Sequence, residues 1–221
     1  MKFAFASIAA ALGLAPLNAQ VTPSVDDARG AIAAVLAHQV SIRGPTGAQD
    51  ICVAGALTGL PPSPDAEEPA GPERAVHIRF QWHLPESPLA VRPPRVEPEP
   101  GEGRRERRER RRLLPERQLP APLAPDLASE LDALRAEASR STTTPALTAI
   151  DAGSIPEPLR VLRQDESCWQ LHLSAPAFAG DAAFVAIDYL CGTSCGDGSL
   201  YALRRRETHW EVVGVADTWI N

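Results

Sequence analysis

Proline is concentrated in the middle of this chain, and that clustering limits which parts can fold into regular structure. Of the 22 prolines, 15 lie between Pro61 and Pro125. Because proline lacks an amide hydrogen and restricts φ, this stretch cannot form one continuous helix or a central strand. The sequence therefore predicts a Pro/Arg-rich insert at 61–125, flanked by folded segments at 20–60 and 126–221.

Residues 76–84 form an island within the insert where apolar and polar side chains alternate. A period of two over nine residues predicts a strand, and we expect the rest of the insert to be largely disordered. The apolar face comprises Val76, Ile78, Phe80, Trp82 and Leu84. The opposite face carries His77, Arg79 and His83, which are candidate ligand-binding residues. The simpler interpretation is that this face is a polar surface exposed to solvent.

An arginine run follows this predicted strand. Residues 104–112 read RRERRERRR and carry a formal charge of +5. The chain that remains after removal of a predicted signal peptide at 1–19, which contains Lys2, carries −7. The other residues of this mature chain therefore carry −12. The acidic balance argues against nucleic acid as a partner. The run is either a solvated linker or a site for anionic groups of a cell envelope. Its candidate anion-binding residues are Arg104, Arg105, Arg107, Arg108, Arg110, Arg111 and Arg112.

The N-terminus has the pattern of a secretory signal peptide. Lys2 precedes an uncharged stretch from Phe3 to Ala15, which is shorter than the roughly 20 apolar residues that span a bilayer. We expect cleavage after Ala19, so that residues 1–19 are a signal peptide and the mature protein is periplasmic or secreted by a bacterium. No later stretch of the sequence is apolar enough to predict a transmembrane segment.

Four cysteines lie outside the predicted signal peptide. An even number of cysteines in an exported chain predicts two disulfide bonds, and three connectivities are possible. We favour Cys191 with Cys195 and Cys52 with Cys168. The glycines at 192, 196 and 198 suit a tight turn around the first pair, because glycine tolerates positive φ.

The Cys191–Cys195 pair has two alternative interpretations. A redox-active pair usually lies at a helix N-terminus, which lowers the pKa of one thiol, whereas predicted strands flank this pair. A zinc site would need further ligands, and no nearby histidine pair has the required spacing. A structural disulfide is therefore favoured, and we expect no metal and no cofactor.

Two stretches have the apolar spacing and end signals of amphipathic helices. They cover 24–40 and 126–139, and Asp126 is the expected N-cap of the second. A turn at 44–47 and a short buried strand at 50–57 follow the first helix.

The C-terminal part has the pattern of an antiparallel sheet. Four predicted strands are joined by short links, including a turn at 176–181, and such links favour an antiparallel β-meander. One or two helices packed on this meander give an α+β fold. The strands are predicted at 168–173, 182–190, 199–206 and 209–216.

The stretch 168–221 resembles a group of small exported bacterial proteins of unknown function. The shared pattern is a strand, Cys191-Gly-Thr-Ser-Cys195-Gly-Asp-Gly198, a basic strand, Trp210-Glu-Val212 and a final Trp219 beside a hydrophobic residue. The resemblance implies an exported protein with the same α+β fold. It implies no catalytic residue, because the group has no activity to transfer.

No motif in the sequence points to catalysis. The serines lack a nucleophile-elbow context, and the carboxylates form no acid/base pair by spacing. We therefore predict a non-catalytic binding or scaffolding protein of the bacterial cell envelope. The alternative is a small periplasmic enzyme with a cavity under a curved antiparallel sheet. An enclosed cavity lined by His172, Asp188 or Tyr189 would favour the enzyme, and a filled core would favour the binding protein.

Overall fold

The computed structural model describes residues 23–60, 76–77, 80–85, 121–141, 147–164, 166–192 and 195–220. The predicted signal peptide, Arg79 and the arginine run at 104–112 lie outside these residues. The predictions made for those segments stay predictions.

Eight strands of the described residues form one sheet. Seven of them lie in the order β2-β8-β7-β6-β4-β1-β3, and β5 pairs with β6 beside this path. The strands are β1 (Ile51–Val53), β2 (Val76–His77), β3 (Arg160–Val161), β4 (Trp169–Leu173), β5 (Ala177–Ala179), β6 (Ala182–Leu190), β7 (Gly196–Arg206) and β8 (His209–Ile220).

The predicted meander forms the centre of this sheet, but the sheet is larger and mixed. Strands β4, β6, β7 and β8 are successive antiparallel neighbours. Strand β1, however, runs parallel to both β3 and β4. The predicted turn at 176–181 also contains β5, whose three residues are all buried. The strand predicted at 50–57 is limited to the three residues of β1, and β5 is too short for its period to be recognised in the sequence.

Two longer helices lie within the described residues, and both pack on the sheet. Helix α1 (Val25–Ala48) begins with a capping box between Ser24 and Asp27, and it continues through the predicted turn with a kink at Gly44, where φ is +70°. Helix α2 (Pro125–Arg140) has Ala124 at its N-cap position without a side-chain hydrogen bond, so the prediction of Asp126 as the cap was wrong. Asp126 lies in the first turn, where a carboxylate suits the helix dipole. A short 3-10 helix covers Ala152–Ser154.

Both faces of the sheet are buried. One hydrophobic cluster lies beneath α1 and includes Val35, Val185 and Tyr201. The other lies beneath α2 and includes Leu131 and Phe184. Because neighbouring residues of β6 and β7 point to opposite clusters, these strands read as nearly continuous apolar runs.

Candidate functional site

The two ends of the insert are hydrogen-bonded to each other. The amide of Leu84 donates to the carbonyl of Ala121 at 2.9 Å, and the amide of Leu123 donates to the carbonyl of Trp82 at 2.9 Å. An antiparallel bridge joins His83 to Pro122 between these bonds. The residues that flank the segment 86–120 therefore lie side by side. We call residues 80–85 and 121–124 the insert base.

The insert base is fixed to the edge of the sheet. The backbones of His83 and Val215 exchange two hydrogen bonds, of 2.8 and 3.1 Å. Further along the same edge, β2 pairs with β8 through Val76 opposite Ile220 and His77 opposite Trp219. The strand predicted at 76–84 thus lies beside β8 at the described positions.

Helix α2 holds the other side of the insert base. The indole Nε1 of Trp82 donates a hydrogen bond of 2.8 Å to Oδ1 of Asp132. The guanidinium of Arg135 lies over the ring of Phe80 at 4.8 Å, and Arg135 is only 5% exposed. The insert base is therefore anchored to the cluster beneath α2 through the buried side chains of Trp82 and Leu123.

The predicted alternation holds over part of the insert base. Trp82 is buried and Gln81 is exposed, as expected, but Leu84 is 46% exposed. The apolar alternation therefore does not extend to Leu84. Of the candidate ligand-binding residues on the opposite face, only His77 and His83 fall within the described part of the chain.

The four cysteines form two disulfides in the favoured connectivity. Cys52–Cys168 joins β1 to the residue before β4, with Cα atoms 6.0 Å apart, and Cys191–Cys195 closes the link between β6 and β7, with Cα atoms 5.2 Å apart. The carboxylate of Glu166 lies near the first pair. Since both sulfurs are bonded to each other, they are not thiolate ligands for a metal.

Glu166 has a different partner. Its Oε1 accepts a hydrogen bond of 2.6 Å from Nε of Arg160, and this bond holds the pKa of the carboxyl below its usual value. Arg160 also donates to the carbonyl of Gln49 at 2.5 Å. The side chains around the first disulfide thus form a surface ion pair.

Two of the three glycines near the second disulfide are required by close packing and do not have positive φ. Among them only Gly192 has positive φ, of +129°. Gly196 and Gly198 lie within β7, and a Cβ at Gly198 would overlap the indole of Trp219. That indole donates a hydrogen bond of 2.8 Å to Oδ1 of Asp188.

The three residues proposed to line an enzyme cavity do not share one. Tyr189 points into the cluster beneath α1, where burial raises the pKa of its hydroxyl to about 12. His172 and Asp188 are opposite each other in the β4–β6 register, on the other face of the sheet. His172 Nε2 lies 3.0 Å from Oε1 of Gln170.

A chain of polar side chains runs inward beneath the end of α1. Nε of Arg43 donates to Oε1 of Gln39 at 2.9 Å, and Nε2 of Gln39 donates to the hydroxyl of Tyr201 at 2.5 Å. Tyr201 is fully buried, which raises the pKa of its hydroxyl. The guanidinium of Arg43 also lies over the ring of Tyr189 at 4.2 Å. These contacts link the surface at Arg43 to the buried hydroxyl of Tyr201.

An open groove follows α1 along β8. It consists of two adjoining depressions of about 500 and 660 Å³, which share Ala34, Ala37 and Trp210. Pro85 of the insert base and His38 line its second part. The lining includes three alanines and charged side chains that are paired, such as Arg205 with Asp27 at 2.9 Å.

One tryptophan differs from the others. Trp169 is 45% exposed, whereas Trp82, Trp210 and Trp219 are exposed by 9% or less. Its ring meets the ring of Tyr189 edge-on, with centroids 5.9 Å apart. This difference was not predictable from the sequence, because Trp169 lies in a predicted strand just as the buried Trp82 and Trp210 do.

Comparisons with protein-family models, curated proteins and solved structures found no match for this chain. In the described part of the chain, no helix is long and apolar enough to cross a membrane.

Proposed function

We propose that this chain is an exported, non-catalytic binding protein that presents its basic insert to an anionic surface of the bacterial envelope. The observation that carries the proposal is the insert base, which joins both ends of the segment 86–120 at one edge of the sheet through Leu84–Ala121 and Trp82–Leu123 hydrogen bonds. A long insert in a surface loop costs little stability when its ends are held together by the fold.

The charge distribution favours binding through the insert. Residues 104–112 carry +5, whereas the remainder of the mature chain carries −12. An anionic surface would attract the run and repel the rest of the protein. Each basic residue close to an anionic membrane contributes about 1 kcal/mol, so seven arginines suffice for reversible attachment without an apolar anchor.

The packing of the sheet supports a binding protein over an enzyme. Tyr189 and Tyr201 are packed beneath α1, and Phe184 is packed beneath α2. The open groove along α1 brings together none of the residues expected for an enzyme cavity. The two disulfides fit the oxidising environment of an exported protein.

Vesicle binding of the mature chain tests the proposal. We expect the protein to sediment with vesicles that contain phosphatidylglycerol and to remain in solution with vesicles of phosphatidylcholine alone. Binding should weaken steeply as salt rises, because the Debye length falls to about 8 Å at physiological ionic strength.

A matched pair of variants assigns the effect to the arginine run. Replacing its seven arginines by glutamine changes the charge of residues 104–112 from +5 to −2 and should abolish vesicle binding, whereas replacing them by lysine keeps +5 and should preserve it. Equal sedimentation of the glutamine variant and the unchanged protein would overturn the proposal.

A further inference from the structure

We propose a second binding site, independent of the insert, in which the exposed indole of Trp169 stacks against a neutral carbohydrate. Trp169 is 45% exposed although tryptophan is usually well buried, and the other three tryptophans of this chain follow that rule. Exposed aromatic side chains with a large contact area are typical of binding surfaces.

Trp169 is held rigidly. Its amide donates to the carbonyl of Asp50 at 2.9 Å, and its ring rests edge-on against Tyr189. The preceding residue, Cys168, is tied to Cys52 by a disulfide. A side chain fixed in this way loses little conformational entropy when a ligand binds, and this pre-organisation favours affinity.

The surroundings of Trp169 are polar. Gln49 and Asp50 are exposed immediately before β1, and the backbone of Asp50 is hydrogen-bonded to that of Trp169. A hydrophobic protein partner would need a continuous apolar patch of several hundred Å². One indole among amides and carboxylates instead suits a ligand with a small apolar face and a polar rim.

Two charged ligand classes fit this surface less well. A cation bound by an aromatic cage needs a second free aromatic face, but Tyr189 is only 7% exposed and Arg43 lies over its ring. A polyanion would meet the carboxylate of Asp50 and a mature chain of charge −7. A sugar ring has an apolar face of C–H groups and a rim of hydroxyls, so it matches both features.

Titration with neutral oligosaccharides tests this site. Tetra-N-acetylchitotetraose and maltotetraose are added to the mature chain, and the intrinsic tryptophan fluorescence and the proton signals of the sugar are followed. We expect a saturable shift in fluorescence with at least one of them. Because Trp169 is the exposed tryptophan, its emission dominates the change.

Substitutions at two equally exposed positions separate stacking from a general surface effect. W169A should weaken binding at least tenfold, W169F should weaken it less because the aromatic face remains, and L84A should leave it unchanged. L84A is the matched control, since Leu84 is 46% exposed at the insert base. Circular dichroism of each variant checks the fold.

Two results would overturn the proposal. One is the absence of a saturable response up to about 10 mM sugar, well beyond the millimolar range of weak specific binding. The other is a response that W169A and W169F retain in full. Neither result bears on the vesicle experiment, because the arginine run and Trp169 are changed separately.

Discussion

The indole of Trp219 lies directly against Gly198, in the space that a Cβ on that residue would occupy. The two residues face each other across the β7–β8 ladder, and the same indole is fixed by its hydrogen bond to Asp188. Glycine is therefore required at position 198, because the indole of Trp219 approaches the backbone of β7 closely there. The final tryptophan of the motif and the last glycine of the cysteine loop form one packing unit.

We expect G198A to destabilise the protein by about 1–3 kcal/mol, because the added methyl group overlaps a buried ring that cannot turn aside without losing a hydrogen bond. Urea denaturation of the two proteins measures the difference. G59A is the control, since a Cβ at Gly59 meets nothing within 4 Å. Equal losses in the two variants would show that the indole has room to move.

The two disulfides should contribute unequally. They close loops with sequence separations of 116 and 4 residues, and the chain-entropy model assigns about 5 kcal/mol to the longer loop and about 2 kcal/mol to the shorter. Replacing Cys52 and Cys168 by alanine should therefore lower the free energy of unfolding more than replacing Cys191 and Cys195. The reverse order, measured by urea denaturation, would contradict this account.

Removal of the insert should leave the fold intact. Replacing residues 86–120 by an Asn-Gly turn keeps both hydrogen bonds of the insert base and shortens the loop between them, so the melting temperature should be unchanged or higher. The thermal transition followed by circular dichroism checks this. W82A is the contrasting variant, because it removes a buried ring of the insert base and should lower the melting temperature. A large drop on deletion alone would mean that residues 86–120 contribute to the core.

His38 should make the protein less stable in mild acid. Burial lowers its pKa below the usual 6.5, its Nε2 has no hydrogen-bond partner among the described residues, and its ring lies edge-on to Tyr201. As the pH falls below about 6.5, the unfolded chain takes up the proton first, so the free energy of unfolding decreases. This loss continues until the pH reaches the lower pKa of the folded state.

Substituting His38 isolates its contribution. We expect H38F to flatten the pH dependence of the free energy of unfolding between about pH 6.5 and 5. Asp27 and Glu166 have pKa values that are lowered in the fold, so their protonation changes the free energy of unfolding only at a lower pH. An unchanged slope in H38F over this interval would contradict the assignment to His38.

Periodicity located the long elements of the fold well. The helix predicted at 126–139 is α2, with Leu131 fully buried and Leu127 and Leu134 partly buried, as expected. Strand β6 has the bounds that the sequence predicted. The short strands β3 and β5 were missed because two or three residues show no period, and their pairing depends on partners distant in sequence.

The candidate sites were less predictable from the sequence. The alternation at 76–84 indicated a strand, but nothing local showed that residues 121–124 would pair with it and close the insert. The exposure of Trp169 could not be predicted from the sequence either, because the burial of a side chain depends on which other residues cover it. The packing reason for Gly198 also required the position of Trp219.

The sequence by itself determined the position of the proline-rich stretch and the long helices and strands, because proline chemistry and hydrophobic period are local properties of the chain. It also favoured two disulfides among three possible connectivities, and the structure decided between them. Only the tertiary structure decided that the sheet is mixed, that the insert is closed at its base and that one tryptophan of four is exposed. Those features arise from contacts between residues far apart in sequence, where no local pattern specifies the partner.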